Sequence, residues 1–271
     1  MLSLVASSVY RTLRDRRLRL ALILVAAIEV AGAALFWLSA TPMGEALNPG
    51  SHYTLTVMAS HLLTASAPVP AVVASVCAAA LAAEDAETGF GKTLHPFCRA
   101  RVGERAARLA AVALETGLVL LTVALTVTVA YRLLGFDIVA EDGARQAGYF
   151  GCVALQALAY AWLSALVTWA TRSKAAGVTC AVLVASGLAG GLVQMALATS
   201  APALPAAADV AAWLPSWAQS GKLLQVSATA LWAAPAVAGT SAPVHAALVG
   251  ALWCAGSSLL SLALALRGDA A

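Results

Sequence analysis

Apolar positions along this chain gather into six runs separated by short polar stretches, at residues 20–40, 53–83, 109–131, 147–171, 175–200 and 244–266. A helix needs about 20 residues to cross a bilayer, and each run reaches that length. Pro68 and Pro70 interrupt the second run, which predicts a kinked or broken span. The fourth is uncharged and carries Gln156, Tyr160, Trp162 and Trp169. Arg172 and Lys174 then predict a very tight turn into the fifth, where Gly187, Gly190 and Gly191 are small enough to let helices approach closely.

Two stretches depart from this pattern. In residues 1–19, Leu2, Val5, Val9 and Leu13 recur at helical spacing while Arg11, Arg14, Arg16, Arg17 and Arg19 fill the other side. That predicts a basic amphipathic helix lying at a membrane surface. A nucleic-acid-binding arm is the competing reading, but aromatics and glycine are sparse and an apolar run follows directly. The 20–40 run exceeds the about 7–15 apolar residues of a secretory signal peptide, so the first span is expected to remain as an anchor. Residues 201–243 hold Pro202, Pro205, Pro215, Pro235 and Pro243 beside Trp213, Trp217 and Trp232, with only Asp209 and Lys222 charged. Short extracytoplasmic helices at or dipping into the interface are expected there, with 223–239 as an alternative seventh span.

Composition narrows the class further. At 61% hydrophobic and 11% charged residues, with a mean hydropathy of +0.85, the chain lies outside the norm for soluble globular proteins. The expected fold is an all-α polytopic membrane protein, one permease-like domain over 1–271. It has six transmembrane helices, an N-terminal interfacial helix, and short interfacial or re-entrant helices before the last span. No soluble stretch is large enough for a separate active site. Cys77, Cys98, Cys152, Cys180 and Cys254 are scattered without metal-like spacing and read as small apolar fillers.

Charge sets the expected orientation. With six spans, thirteen of the 16 Lys and Arg fall on one side and three on the other. Basic residues favour the cytoplasm, so both termini are expected to be cytoplasmic. The Ala-rich composition suggests a GC-rich genome, and hence a bacterial plasma membrane.

The dense polar feature is the cytoplasmic loop 84–108, which holds five of the 16 basic and four of the 13 acidic residues. Residues 86–93, AETGFGKT, fit a degenerate phosphate-binding loop. Such a loop requires a preceding buried strand and a surrounding α/β domain with a magnesium-holding Asp. An apolar run precedes it instead, so ATP and magnesium, if used, are expected on another chain.

The same loop resembles a different pattern. Glu87 and Gly89, then Leu94, Pro96, Arg99 and a basic position at Arg105 or Arg108, resemble the loop after the second span in type-2 ABC-exporter permeases. Phe90 stands where that family has Thr, and Cys98 where it has Ser. The small size and lack of a fused ATPase resemble the permeases of lantibiotic-immunity and bacitracin-export systems. The resemblance implies a coupling helix seated in a cleft on a separate cytoplasmic ATPase. Glu84, Glu87, Gly89, Phe90, Leu94, Pro96, Phe97 and Arg99 would be the coupling residues. It also implies a homodimer or a pair with a related permease, and outward movement of a peptide or other amphipathic compound. Phe90, Leu94 and Phe97 would serve physically as apolar anchors in a groove. The alternative is a solvated loop whose charges only obey topology.

Two other functions compete. Glu29, near the middle of the first run, and Glu115, in the third, are costly in a bilayer and usually face a bundle interior or cavity. With His61 they are the candidate translocation-path residues, and the two carboxyls would carry protons in an ion- or proton-coupled transporter. Each also has a packing role as its alternative. A membrane hydrolase finds less support, since His61, His95 and His245 are isolated and no H-E-x-x-H occurs.

Overall fold

A break of one residue separates the first two helices, α1 (Leu2–Arg14) and α2 (Arg16–Ala40). Asp15 occupies that break, and its Oδ1 accepts the Arg17 amide at 2.8 Å. It thereby satisfies one of the donors that a helix start leaves open. The computed structural model describes residues 2–40, 53–54, 68–88, 98–136, 138–139, 141–200, 206–217 and 228–267. Along α2, Leu18, Ala21, Val25, Glu29 and Ala33 form one buried stripe, while Leu20, Ile23, Leu24 and Leu35 stay exposed. A helix apolar on its exposed face as well as its buried one suits lipid rather than water.

Helix α3 (Val69–Thr88) starts where the prolines fall. Pro68 accepts the Val72 amide at 3.0 Å, and Pro70 sits in the first turn, where its missing N–H costs nothing. The apolar part, Val69–Glu84, is shorter than a full span. Of the preceding stretch, only Tyr53–Thr54 is described, pairing in parallel with Ile138–Val139.

Helix α4 (Cys98–Leu133) contains the run predicted at 109–131 but begins about three turns earlier. Its first turns are rich in Ala, Arg and Glu, all strong helix formers. After it, α5 (Gly143–Thr171) is capped by Asp142, whose side chain accepts the Ala144 amide at 3.1 Å. The predicted tight turn is present. Arg172 adopts a left-handed conformation (φ 54°), and Ser173 caps α6 (Lys174–Ala185).

The fifth span is not one straight helix. α6 ends at Ser186, and α7 (Leu188–Ser200) departs at 56°. Gly187 absorbs the turn with φ +81°, a conformation that costs residues with a Cβ about 1 kcal/mol or more. Of the three glycines predicted to admit close packing here, Gly187 makes the bend and Gly190 lies against Ser216, while Gly191 faces open space. The tightest approach lies instead at Gly177, where an added methyl would collide with Thr168 and press Ala79 at 3.1 Å.

Among the described residues, three short helices follow: α8 (Ala206–Ala212), α9 (Pro215–Trp217) and α10 (Ala228–Ala233). Helix α11 (Ala242–Arg267) then closes the fold. Within the alternative seventh span, α10 is six residues long and gives way to a Val237–Thr240 bridge turn. No continuous helix therefore runs through the described part of that segment. The Trp253 indole donates to Trp213 O at 2.9 Å, and the His245 Nε2 lies 2.9 Å from Ala212 O. These contacts fix α8 and α9 along the first turns of α11.

Central helix α5 packs against α3, α4, α6 and α11. One core cluster joins Val25, Val119, Val123, Tyr131, Tyr149 and Ala246. A second, of Ala78, Leu81, Ala111, Val112 and Ala165, lies nearer the ends where α3 and α4 meet. Among the described residues, four helices are long and apolar enough to cross a membrane, or five if the bent α6–α7 pair counts as one span.

Candidate functional site

Charges in a mostly apolar bundle collect where they can be paired. The richest such place among the described residues is built around Glu84 in the last turns of α3. Its carboxylate receives Arg11 Nη2 at 2.8 Å, Arg17 Nη1 at 3.1 Å and Arg108 Nη1 at 3.4 Å. One acid thus ties α1, α2, α3 and α4 together.

The three pairs differ in environment. Arg108 is buried, with its side chain 5% exposed, and also donates to Leu81 O at 3.4 Å and meets Glu104 at 4.0 Å. Arg11 and Arg17 remain about half exposed, so each contributes at most about 1 kcal/mol. Losing the partner of a buried charge costs considerably more.

Helix α5 joins the same end through two tryptophans. Trp169 Nε1 donates to Ala82 O at 3.1 Å, and the Arg105 guanidinium lies 4.0 Å over its ring. Trp162 Nε1 donates to Leu109 O at 3.1 Å. The α3–α4 pair is therefore held at its base by ion pairs on one side and indole hydrogen bonds on the other.

The predicted site residues fall into three groups. Glu84, predicted as a loop residue, is helical and turned into the chain, with its side chain 15% exposed. Glu87 lies on α3 and Arg99 on the first turn of α4, their side chains outside the described residues. Gly89, Phe90, Leu94, Pro96, Phe97 and His61 lie outside the described residues altogether. Of the phosphate-loop pattern, residues 86–88 belong to α3, so a helix and not a strand leads into it.

Glu29 and Glu115 are both buried, at 2% and 3% exposure, and each has an Oε2 with no hydrogen-bond partner among the described residues. They do not share a position. Glu115 lies in the field of Asp15, Glu84, Arg108 and Arg17, about 10 Å along α4 from Arg108. Glu29 lies about 18 Å along α2 from Arg17, between Val25 and Ala33 on the buried stripe.

Sequence reasoning missed the Glu84 hub and the Arg105–Trp169 stack. Only the i,i+4 spacing of Glu104 and Arg108 hinted at local pairing. Arg11 is 73 positions from Glu84, and no periodicity reports such a distant partner.

Fold and site together define an all-α polytopic membrane protein whose charged groups clasp one end of the bundle. No protein-family model matches the chain, and no curated protein matches it.

Proposed function

We propose that the chain is the membrane-spanning permease subunit of an ATP-driven ABC exporter, coupled through residues 84–108 to a separate cytoplasmic ATPase. The observation that carries this reading is the clamped helix pair on either side of 89–97. Helix α4 continues about 15 Å from Arg108 out to Cys98 as a lever. Glu84 and Arg108 fasten its base to α3 and α1. A push on the connecting segment would reach α1, α2 and α5 together, as a coupling element requires.

In this reading the six spans are α2, the segment ending in α3, α4, α5, the α6–α7 pair and α11. Helices α1 and α8–α10 are interfacial, and both termini are cytoplasmic in a bacterial plasma membrane. A second copy or a related permease completes the exporter. The cargo is a lantibiotic-like peptide or other amphipathic compound moved outward, which would confer immunity or antibiotic resistance. ATP and magnesium belong to the partner.

A second reading, an ion- or proton-coupled secondary transporter, draws on the buried carboxyls of Glu29 and Glu115. The energy source separates the two. With inside-out membrane vesicles and a panel of amphipathic peptides, uptake that needs ATP and survives a protonophore supports the exporter. Uptake that proceeds without ATP and collapses with the proton gradient supports the alternative.

A further inference from the structure

We infer that the cleft between α1 and the charged ends of α3 and α4 binds the phosphate headgroup of an anionic phospholipid. The cleft has a volume of about 240 Å³ and is lined by Arg11, Thr12, Arg14, Asp15, Glu84 and Arg108, among others. Its two acids are already engaged. Glu84 accepts from three arginines, and Asp15 accepts the Arg17 amide.

Arg14 is the group that points to an anion. Its guanidinium lies 4.8 Å over the Tyr10 ring and makes no ion pair among the described residues. Thr12 is the independent second sign. It is 2% exposed and lines the cleft, and its hydroxyl has no hydrogen-bond partner among the described residues. Buried hydroxyls in folded proteins nearly always have one, and a phosphate oxygen would supply it.

A lipid fits the surroundings better than free phosphate does. Tyr10 and Leu13 on α1, and Leu20, Ile23 and Leu24 on α2, are exposed apolar groups beside these arginines. They form a wall along which acyl chains can lie. Basic residues at a membrane surface draw anionic lipids by about fivefold in affinity per arginine.

Native mass spectrometry of the full chain in mild detergent, titrated with phosphatidylglycerol, phosphatidylcholine or inorganic phosphate, tests this. The expected result is selective retention of phosphatidylglycerol, weakened about fivefold by Arg14→Gln and unchanged by Arg145→Gln on the exposed start of α5. Thr12→Val, which removes the hydroxyl at nearly constant volume, should also weaken retention while Thr12→Ser preserves it. This pair decides the matter if Arg14→Gln melts at a lower temperature than the parent. Equal retention of the two lipids, or equal losses from Arg14→Gln and Arg145→Gln, overturns the proposal. Displacement of phosphatidylglycerol by inorganic phosphate at matched concentration would show a free-phosphate site and would overturn it too.

Discussion

Glu84 and Arg108, 24 positions apart, meet at 3.4 Å across the two helices that residues 89–97 connect. The same carboxylate holds Arg11 at 2.8 Å. The base of the connecting segment is therefore mechanically continuous with the N-terminal helix.

Removing Glu84 takes from the buried Arg108 the carboxylate that lies 3.4 Å from its guanidinium, while Glu104 stays at 4.0 Å. Glu84→Ala is expected to destabilise the chain by about 2–3 kcal/mol, somewhat below the cost for a fully buried pair because Glu84 keeps some solvent contact. Arg11→Gln or Arg17→Gln should each cost under about 1 kcal/mol. SDS-induced unfolding in micelles measures all three. Equal effects at the three positions would show that burial of Arg108 does not set the hierarchy.

Gly177 faces Thr168 and Ala79 with no room for a side chain. Gly177→Val should cost about 1–3 kcal/mol through overpacking of α6 against α5 and α3. Gly191→Val, which meets open space, should cost about 1 kcal/mol at most. Thermal melting of the two variants in one detergent decides it, and a reversed order would contradict the described packing.

Glu29→Gln and Glu115→Gln preserve shape and remove a titratable group. Under the exporter reading, both variants keep ATP-dependent transport within about threefold of the parent, since neither carboxyl carries a coupling proton. A loss of a hundredfold or more in either, with the protein still folded, would favour the proton-coupled reading.

The phosphate-loop pattern at 86–93 is expected to bind no nucleotide. The purified chain should bind no fluorescent ATP analogue, and Lys92→Ala should leave nucleotide binding by the complex unchanged. Nucleotide binding by the isolated chain, lost on Lys92→Ala, would show that the helical context is no bar.

Much of the bundle was legible because hydropathy reports burial in lipid directly. The 147–171 run became Gly143–Thr171, and the tight turn at Arg172 and Ser173 came from polar residues that cap helices on both sides. The bend at Gly187 was not legible. Hydropathy averages composition over a window and carries no record of a positive φ, so 175–200 read as one span. The clasp escaped for a related reason. Glu84 reads as part of the charged coupling loop because its neighbours Asp85 and Glu87 are also charged, whereas its surroundings in the fold are set by Arg11 and Arg17 from the far N-terminus. Coupling residues from Gly89 to Phe97 rest on sequence alone.

The central claim is docking on an ATPase through that segment, and purification from native membranes in mild detergent tests it most directly. Mass spectrometry of the co-purifying proteins should find an ABC-type ATPase in stoichiometric amount, absent from the Leu94→Asp preparation although that variant remains folded. A clean chain without an ATPase, or an ATPase that stays bound to folded Leu94→Asp, would contradict the account.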